Sequence, residues 1–485
     1  MMALQQAQVF QKRRAGVLLH ITSLPSANLG EDAYHFVDFL HESGVSVWQM
    51  LPLGPTHSDG SPYQCLSAHA SNTNLICMET VQHQSWIDDE GLQGDTFLIK
   101  LVHAYRQFMA NANKDEKVAY TDFCQSQHYW LDDFVLFSEL RRLNHTTAWF
   151  HWPKPLRDRQ STAIKKVRKE RAESLEIRRF GQFLFYQQWH SLKDYANERG
   201  VLLFGDMPIF VAHDSADVWA NPELFTLDKK GIATKVAGVP PDYFSETGQR
   251  WGNPLYRWQK HVDEDFLWWQ QRIKTQLDLF DLIRIDHFRG FEACWEIPAS
   301  CDTAMDGEWV KAPGDALFNK LVNTFGELPL VAEDLGIITD EVTALREKYV
   351  MPGMKILQFA FGDDASNPYL PHQHTQDSVS YTGTHDNNTT LGWFEELDDH
   401  TKARIYEYLG ESHESMPWLL IRASLESVSR LAVIPMQDLL SLNGDHRMNV
   451  PGTTEGNWLW QFAWDMIDQD CAPKMKYLNE LYGRS

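Results

Sequence analysis

Four acidic residues directly follow short apolar runs in this sequence, and they are the residues best placed to carry out chemistry. They are Asp206, Asp286, Glu333 and Asp386. If the apolar runs are strands of one barrel, these side chains meet where the strands end. Carboxylates that converge repel one another unless arginine, hydrogen bonds or protonation offset the repulsion. A pair with one raised and one lowered pKa is what retaining chemistry at a glycosidic bond requires.

Two arginines near the second of these acids are expected to offset its charge. Arg284 precedes Asp286 and Arg289 follows it in the segment RIDHFRG. A guanidinium close to a carboxylate favours the ionised form of that carboxylate. The sequence therefore predicts that both arginines support Asp286.

Each of these acids, taken singly, is also compatible with a structural role as a cap of the next helix. We interpret Asp206 as the partner of an arginine or a loop, and as a candidate substrate-binding residue. Asp334, which follows Glu333, is interpreted as a residue at a helix N-terminus. The catalytic candidates that remain are Asp286, Glu333 and Asp386.

The elements that must position these acids are eight short apolar runs of β type. They are residues 16–21, 45–53, 201–211, 282–289, 328–335, 354–361, 378–385 and 431–439. Wholly apolar runs suit parallel strands that are buried on both faces, and helix-patterned segments separate several of them. The pattern predicts an α/β fold, a (β/α)8 barrel that forms a single catalytic domain over residues 1–485.

Two long segments interrupt the regular alternation of strands and helices. Residues 54–200 are predicted to be a mostly helical inserted subdomain, since apolar residues from Phe97 to Met109 recur at helical spacing. Residues 212–256 are rich in Pro, Gly and aromatic residues, so we expect an irregular lid or loop region there. A loop over the active-site mouth is its expected role.

Composition excludes several classes of function. The chain has 485 residues, with 44 Lys+Arg against 66 Asp+Glu and a formal net charge of -22. An acidic chain repels nucleic acid and anionic membranes, so neither is an expected partner. No run approaches the roughly 20 apolar residues of a membrane span. The six cysteines form no CxxC pair, which favours free thiols in a reducing compartment, and the expected location is cytoplasmic.

Metal and nucleotide sites have little support in the sequence. His372 and His374 form an HxH pair near Asp377, but no third ligand has metal-site spacing, so we expect a solvated loop. The chain contains no GxGxxG, P-loop or GxSxG motif. We expect neither a metal nor a cofactor.

Motifs distributed along the chain carry a family resemblance. They are HITSLPS, WQMLPLGPT, GSPYQ, GDMPIFVAHDSADVW, VAGVPPDYFS, GQRWGNPLY, RIDHFRGF, VAEDLG, GTHDNNT and MNVPGTTEGNW. On these motifs the sequence resembles the amylomaltases, or 4-α-glucanotransferases, in family 77 of the glycoside hydrolases and the wider α-amylase clan. The resemblance covers nearly the whole chain, except for the helical insertion.

The resemblance implies a role for each strand-end acid. It implies that Asp286 is the nucleophile, Glu333 the general acid/base, and Asp386 the third carboxylate, which holds the sugar in its distorted transition state. It also implies that Arg284 positions the nucleophile and that His385 hydrogen-bonds hydroxyls of the transferred sugar. No cofactor is implied.

The resemblance also implies sugar contacts outside the strand ends. Ser61 and Tyr63 of GSPYQ match the family's sugar-contacting loop, and Trp251 would stack on the acceptor-side sugar. Tyr243 and Phe244 stand where the family has a mobile lid.

One segment departs from the family pattern. After GSPYQ the family usually reads SAFAGNP, whereas this chain reads SAHASNTNL, with His69 in place of an aromatic residue. The backbone near the sugar-contacting loop is therefore expected to differ on the donor side.

The expected function is transfer of α-1,4-glucan segments from donor to acceptor glucans through a covalent intermediate, with malto-oligosaccharides and α-1,4-glucans as partners. The first alternative is an α-glucan hydrolase of the same clan, which uses the same carboxylates. The clan's hydrolases commonly read D-x-x-x-N-H after the third strand, whereas this chain reads DMPIFV, as amylomaltases do. The second alternative, an inactive glycan-binding barrel, would have lost a catalytic carboxylate, and none is lost.

Overall fold

The computed structural model describes residues 6–241, 245–410 and 414–485. Within them the strands, numbered along the chain, are β1 (Arg14–Leu18), β2 (Val47–Gln49), β3 (Leu202–Pro208), β4 (Lys235–Val239), β5 (Gln249–Pro254), β6 (Leu282–Asp286), β7 (Ala293–Pro298), β8 (Glu308–Lys311), β9 (Leu330–Ala332), β10 (Gly353–Ile356), β11 (Ser378–Tyr381) and β12 (Leu431–Pro435).

The α-helices of the described residues are numbered in the same way. They are α1 (Glu31–Glu42), α2 (Met78–His83), α3 (Asp89–Leu92), α4 (Phe97–Asn111), α5 (Lys114–Ser126), α6 (His128–Leu143), α7 (Lys154–Arg157), α8 (Ser161–Glu170), α9 (Ala172–Glu198), α10 (Ala216–Ala220), α11 (Trp258–Asp263), α12 (Leu267–Leu279), α13 (Gly314–Phe325), α14 (Asp340–Lys348), α15 (Thr390–Glu396), α16 (Asp399–Leu409), α17 (Trp418–Glu426), α18 (Met436–Leu439) and α19 (Cys471–Leu481).

Eight of the strands form a parallel barrel, and their order around it follows the chain. The paired order is β10-β11-β12-β1-β2-β3-β6-β9. Between β9 and β10 the Ala332 amide donates to the Pro352 carbonyl at 2.9 Å, which closes the ring. Each of the eight predicted apolar runs overlaps one of these strands. The predicted (β/α)8 barrel is confirmed.

Asp334 strengthens this seam between β9 and β10. Its Oδ1 accepts a hydrogen bond from the Met354 amide at 2.7 Å, and its Oδ2 lies 3.3 Å from Nε of Arg346. The next helix, α14, begins only at Asp340. The interpretation of Asp334 as a helix N-terminal residue is therefore wrong, because its carboxylate replaces a ladder bond where two very short strands meet.

Side-chain alternation along β6 sends its polar residues into the barrel. Ile283 and Ile285 pack in the large apolar cluster shared with the surrounding helices, whereas Leu282 packs in the cluster inside the barrel. Because successive strand side chains point to opposite faces, Arg284 and Asp286 share the inner face with Leu282. The end of this strand thus delivers a charged pair to the mouth.

The segment between β2 and β3 contains helices α2 to α9. The long helix α9 is its main support, and Phe180 and Phe183 of α9 pack against Trp86 and Phe108. Aromatic pairs of this kind bury large areas and hold a helical layer together. The same helix reaches the barrel, where the Trp189 indole donates to the Leu279 carbonyl at 2.9 Å.

Residues 212–256, for which an irregular loop was expected, contain helix α10 and strands β4 and β5. These strands join β7 and β8 in an antiparallel sheet of order β5-β4-β7-β8. Gly238 permits the close pairing, since a Cβ there would lie 2.1 Å from the Gln249 carbonyl oxygen. The Gly and Pro content hides the strands, because it interrupts the alternation that sequence patterning relies on.

No helix in the described part of the chain is long and apolar enough to cross a bilayer.

Candidate active site

A buried arginine joins two carboxylates at the base of the barrel mouth. Asp206 of β3 and Arg284 of β6 are direct partners in the strand register. Arg284 Nη1 donates to Asp206 Oδ2 at 2.6 Å, and its Nη2 donates to Asp286 Oδ1 at 2.9 Å. Burial disfavours the arginine's charge, but Asp206 and Asp286 raise the pKa of Arg284 well above its ordinary value. The guanidinium therefore stays charged and fixes Asp286.

Tyr63 completes this base from the loop after β2. Its hydroxyl donates to Asp206 Oδ2 at 2.7 Å. Burial, and then the charge of Asp206, raise the pKa of the Tyr63 phenol well above its usual range, so the group remains a donor. Ser61 supports the same loop, since its Oγ accepts a hydrogen bond from the Tyr63 amide at 3.3 Å. Asp206 thus has both kinds of partner foreseen for it, an arginine and a loop.

Arg289 does not act as foreseen. Its Nη1 donates to the Ile337 carbonyl, and its guanidinium lies 3.6 Å from the ring centroid of Trp309. The prediction that Arg289 offsets the charge of Asp286 is wrong. A short 3₁₀ helix, Phe288–Phe291, follows β6 and turns this side chain towards the antiparallel sheet.

Glu333 is held by backbone amides. Its Oε2 accepts from the His287 amide at 2.6 Å and its Oε1 accepts from the Leu335 amide at 3.1 Å. His287 has a φ of 53°, a left-handed conformation that ends β6 directly after Asp286. The amide that binds Glu333 therefore belongs to the peptide bond next to Asp286, and this bond links the two carboxyl groups mechanically.

Burial controls the protonation of this pair. It raises the pKa of Asp286 to about 8, with Arg284 opposing the shift and Asp206 and Glu333 adding to it. Burial also raises the pKa of Glu333, against the opposing effects of Arg284 and of the two amides. Because two close carboxyls do not ionise independently, they hold a proton between them near neutral pH. The direct bond of Asp286 to Arg284 favours Asp286 as the ionised member and Glu333 as the protonated one.

Asp386 lies on the other side of the mouth, and 48% of its side chain is exposed. Its Oδ1 accepts from Asn449 Nδ2 at 2.6 Å, and its Oδ2 lies 3.4 Å from Nε2 of His385. The Arg447 guanidinium donates to the Asp386 carbonyl at 3.0 Å. Burial lowers the pKa of His385, with Asp386 opposing, so the imidazole is neutral at pH 7.

Aromatic rings line the mouth between these two sides. The rings of Tyr63 and His385 stack at 5.3 Å, and Trp458 lies 6.0 Å from Tyr63 and 6.1 Å from His385. On the opposite side Trp251 of β5 stands edge-on to His287, with centroids 4.7 Å apart. Stacked rings of this kind present the apolar faces on which sugar rings pack. Tyr243 and Phe244 lie outside the described residues.

His69, the departure from the family pattern, contacts residues of α6, α10 and α12. Its Nδ1 bonds to Thr275 Oγ1 at 2.9 Å, its Nε2 lies 3.7 Å from Asp217 Oδ1, and its ring stacks on Trp130. Burial lowers the pKa of His69 to about 3. The imidazole fills an aromatic position in the wall between the insertion and the barrel.

The HxH pair is held by ordinary hydrogen bonds. His372 bonds to the Tyr408 hydroxyl at 2.8 Å, whereas His374 is buried and bonds to Ser427 Oγ at 2.7 Å. The expectation of a solvated loop is therefore wrong for His374. The described residues contain no cluster of His, Cys, Asp and Glu that could hold a metal ion.

Asn449, Arg447 and Trp458 are site residues that sequence reasoning did not single out. All three belong to the segment between α18 and α19, where the motif MNVPGTTEGNW contains Asn449 and Trp458. The segment was recognised as a motif, but no spacing rule connects it to Asp386. Only the fold brings these residues to the mouth.

The arrangement suits a double displacement at an anomeric carbon. Asp286 is an anchored carboxylate, Glu333 is a carboxyl group with a raised pKa, and Asp386 stands at the open side. Retaining glycoside chemistry needs a nucleophile and an acid/base of this kind.

The chain is similar to known 4-alpha-glucanotransferases over nearly its whole length. Residues 19–466 match the model of glycoside hydrolase family 77, described as 4-alpha-glucanotransferase. The chain is 48% identical to the 4-alpha-glucanotransferase of Thermus thermophilus, covering 96% of this chain and 98% of that one. It is 43% identical to the 4-alpha-glucanotransferase of Synechocystis sp., covering 98% and 99%.

Solved structures show the same relationship. The amylomaltase from Streptococcus agalactiae in complex with acarbose superposes with a TM-score of 0.93 at 37% identity, covering 98% of this chain and 100% of that chain. The amylomaltase from Corynebacterium glutamicum shares the fold, with a TM-score of 0.79 at 17% identity over 99% of this chain and 76% of that chain.

Proposed function

Since this chain belongs to the 4-alpha-glucanotransferases of glycoside hydrolase family 77, we propose how its residues transfer α-1,4-glucan segments from a donor to an acceptor. The donors and acceptors in this proposal are malto-oligosaccharides and longer α-1,4-glucans. The observation that carries the proposal is a difference in partners: Asp286 is bonded to the Arg284 guanidinium, whereas Glu333 accepts hydrogen bonds from two backbone amides.

In the first step the Asp286 carboxylate attacks the anomeric carbon of the donor. The glycosidic bond breaks, its oxygen takes the proton of Glu333, and the shortened glucan leaves with a new 4-hydroxyl group. The transferred segment is then an ester of Asp286. Arg284 directs Asp286 because it bonds one carboxylate oxygen and is itself fixed by Asp206.

In the second step the 4-hydroxyl of an acceptor glucan attacks the same carbon. Glu333, now ionised, takes the hydroxyl proton, and the bond between the sugar and Asp286 breaks. Enzyme and acid/base return to their starting protonation. Two displacements at one carbon retain its configuration.

The opposite side of the mouth holds the sugar that reacts. Asp386 and His385 face the place where positive charge develops on the ring, and we assign Asp386 to the distorted transition-state sugar and His385 to its hydroxyls. Tyr63 and Ser61 form the loop against this sugar, and Trp251 offers a ring to the acceptor.

Incubation with maltotriose tests this function directly. A transferase produces glucose together with maltopentaose and longer chains, and the number of reducing ends stays constant because each bond broken is replaced by one formed. A hydrolase, the nearest alternative, raises the number of reducing ends with every turnover. An inactive glycan-binding barrel leaves maltotriose unchanged.

The residue roles are tested by rescue. Glu333→Ala, given a substrate with an activated leaving group, should still glycosylate Asp286 and then stall. Azide should restore turnover and yield an α-glycosyl azide. A β-glycosyl product would show a single displacement and would remove Asp286 as nucleophile.

A further inference from the structure

The loop that carries Asp386 has no strand to position it. Strand β11 ends at Tyr381 and helix α15 begins at Thr390, so residues 382–389 cross the mouth outside the sheet. Asp386 itself is half exposed, and side-chain bonds must therefore fix its location.

One buried carboxylate holds both ends of this loop. Asp438 lies in α18, directly after β12, and only 1% of it is exposed. Its Oδ2 accepts from Thr382 Oγ1 at 2.6 Å and from Thr390 Oγ1 at 2.7 Å, and its Oδ1 accepts from the Thr390 amide at 2.7 Å. Thr382 is the first residue after β11 and Thr390 is the first residue of α15.

We propose that Asp438 is a positioning residue for the transfer reaction, which acts by clamping the loop of residues 382–390 and thereby placing Asp386 and His385. The proposal rests on the role assigned to Asp386 above. Asp438 does not touch the reacting sugar in this scheme.

Hydrogen bonds inside the loop connect its two clamped ends to the position of Asp386. Asn387 Oδ1 accepts from both the amide and the hydroxyl of Thr384 at 2.9 Å, which makes the segment around His385 and Asp386 a tight turn. Gln358 Nε2 donates to the Asn388 carbonyl at 2.9 Å. With both ends tied to one carboxylate and the middle folded on itself, the turn has little freedom to shift unless a clamp bond is lost.

The variant Asp438→Ala removes both acceptor oxygens, so the hydroxyls of Thr382 and Thr390 and the Thr390 amide lose their shared partner. Asp438→Asn is less decisive, because threonine hydroxyls can also accept hydrogen bonds from an amide NH₂ group. A displacement of a catalytic group by about 1 Å costs roughly 100-fold in rate. We therefore expect kcat of Asp438→Ala for maltotriose disproportionation to fall between about 10-fold and 100-fold, with KM changed less than about threefold.

A double-mutant cycle separates positioning from general loss of structure. If Asp438 acts through Asp386, then adding Asp438→Ala to Asp386→Asn should lower the remaining activity by less than about threefold. Losses that multiply in the double variant would overturn the proposal, even if Asp386→Asn alone is nearly inactive. If instead Asp386→Asn retains normal activity, the role given to Asp386 is wrong, which is a different outcome.

Asp281→Ala is the matched control. Asp281 Oδ2 also accepts from a backbone amide, that of Leu203, at 2.8 Å, but at the opposite end of the barrel. We expect unchanged kcat in this variant even if its thermal unfolding temperature falls. If Asp438→Ala does not fold, Thr382→Val removes one clamp bond in an otherwise similar shape and should lower kcat severalfold. Full activity in a folded Thr382→Val variant would then contradict the clamp.

Discussion

The two sides of the barrel mouth hold their carboxylates by different means. On the side of β3, β6 and β9, Asp286 is itself the last residue of a strand and Glu333 follows a strand directly. On the side of β11 and β12, Asp386 lies beyond the end of its strand and depends on side chains from the segment after α18. The backbone ladder places the first pair, whereas tertiary side-chain bonds place the third acid.

The two sides of the mouth also differ in function. The reacting pair needs a fixed separation, and strand register fixes it with bonds that cooperate along the sheet. The third acid must accommodate sugars that enter and leave, so it lies on a loop at the open rim. Replacing a strand-end group should therefore cause a large loss of activity that depends on its immediate neighbours. Replacing a residue at the rim should cause a smaller loss, which depends on residues that are remote in the sequence.

The largest expected effect is loss of either strand-end carboxyl. Asp286→Asn removes the nucleophile and Glu333→Gln removes the proton relay, so each should lower disproportionation of maltotriose by about four orders of magnitude or more. Asp334→Asn is the matched control, because this neighbour of Glu333 supports the β9–β10 seam instead. The loss of activity in Asp334→Asn should be at least about a hundredfold smaller than the loss in Glu333→Gln. Similar losses for Glu333→Gln and Asp334→Asn would contradict the assignment.

Next in size is the effect of replacing the arginine that joins the acids. Arg284→Lys keeps the charge but cannot bond Asp206 and Asp286 through two fixed N–H groups, so kcat should fall about 100-fold to 1000-fold. The control is Arg346→Lys, which alters the Asp334 pair on the neighbouring strand end. Activity in that variant should stay within about threefold. Retention of a tenth of the activity by Arg284→Lys would show that charge alone positions Asp286.

Replacing a residue at the rim of the mouth should lower activity less than replacing Arg284. Asn449→Ala removes the 2.6 Å bond to Asp386 Oδ1. Hydrogen bonds to charged groups contribute about 1.5–3 kcal/mol, and partial exposure puts this one near the lower end, so a loss of about tenfold in kcat is expected. Asn443→Ala, which removes a bond to the Asp445 amide in the same loop, should have no effect on kcat. Equal effects in the two variants would mean that the loop matters as a whole and not through Asp386.

The difference between the two sides of the mouth also explains what the sequence could predict. The eight strand positions and the three acids follow from local patterns, because apolar runs mark buried parallel strands and polar residues at their ends mark the mouth. Arg284 follows from the same alternation. These predictions concern the side of the mouth that the sheet builds, together with Asp386, which follows the apolar run that contains β11.

Contacts that depend on tertiary placement were missed or wrong. Arg289 is only three positions after Asp286 in the sequence, but its guanidinium lies over the ring of Trp309. Asp334 pairs with Met354 because β9 and β10 are too short to complete their ladder. Asn449 reaches Asp386 across 63 positions of the chain, a distance over which no spacing rule applies.

The smallest expected effect is on stability, and it tests whether the two sides differ in burial. Only 30% of the Asp286 side chain is exposed, and its pKa is raised from an ordinary value of about 3.9 in an unfolded chain to about 8. Below pH 4 the carboxyl is protonated in both states and costs nothing. As the pH rises from 4 to 8 the unfolded chain loses its carboxyl protons, whereas the folded protein keeps one proton on the coupled pair of Asp286 and Glu333. The folded state therefore becomes progressively less favourable relative to the unfolded state. Arg284 offsets part of this cost, but the net pKa of Asp286 remains raised, so burial outweighs the ion pair.

Asp286→Asn has no proton to lose, and its unfolding temperature should exceed that of the wild type by roughly 1 to 4 °C at pH 8, with the difference shrinking towards zero near pH 4. Asp386→Asn should show a smaller difference from the wild type at pH 8, because its half-exposed carboxylate keeps more of its hydration. Calorimetric melts of the three proteins at pH 4, 6 and 8 provide the comparison. A difference for Asp286→Asn that does not grow with pH, or that has the opposite sign, would show that the active site holds its nucleophile without a cost in stability.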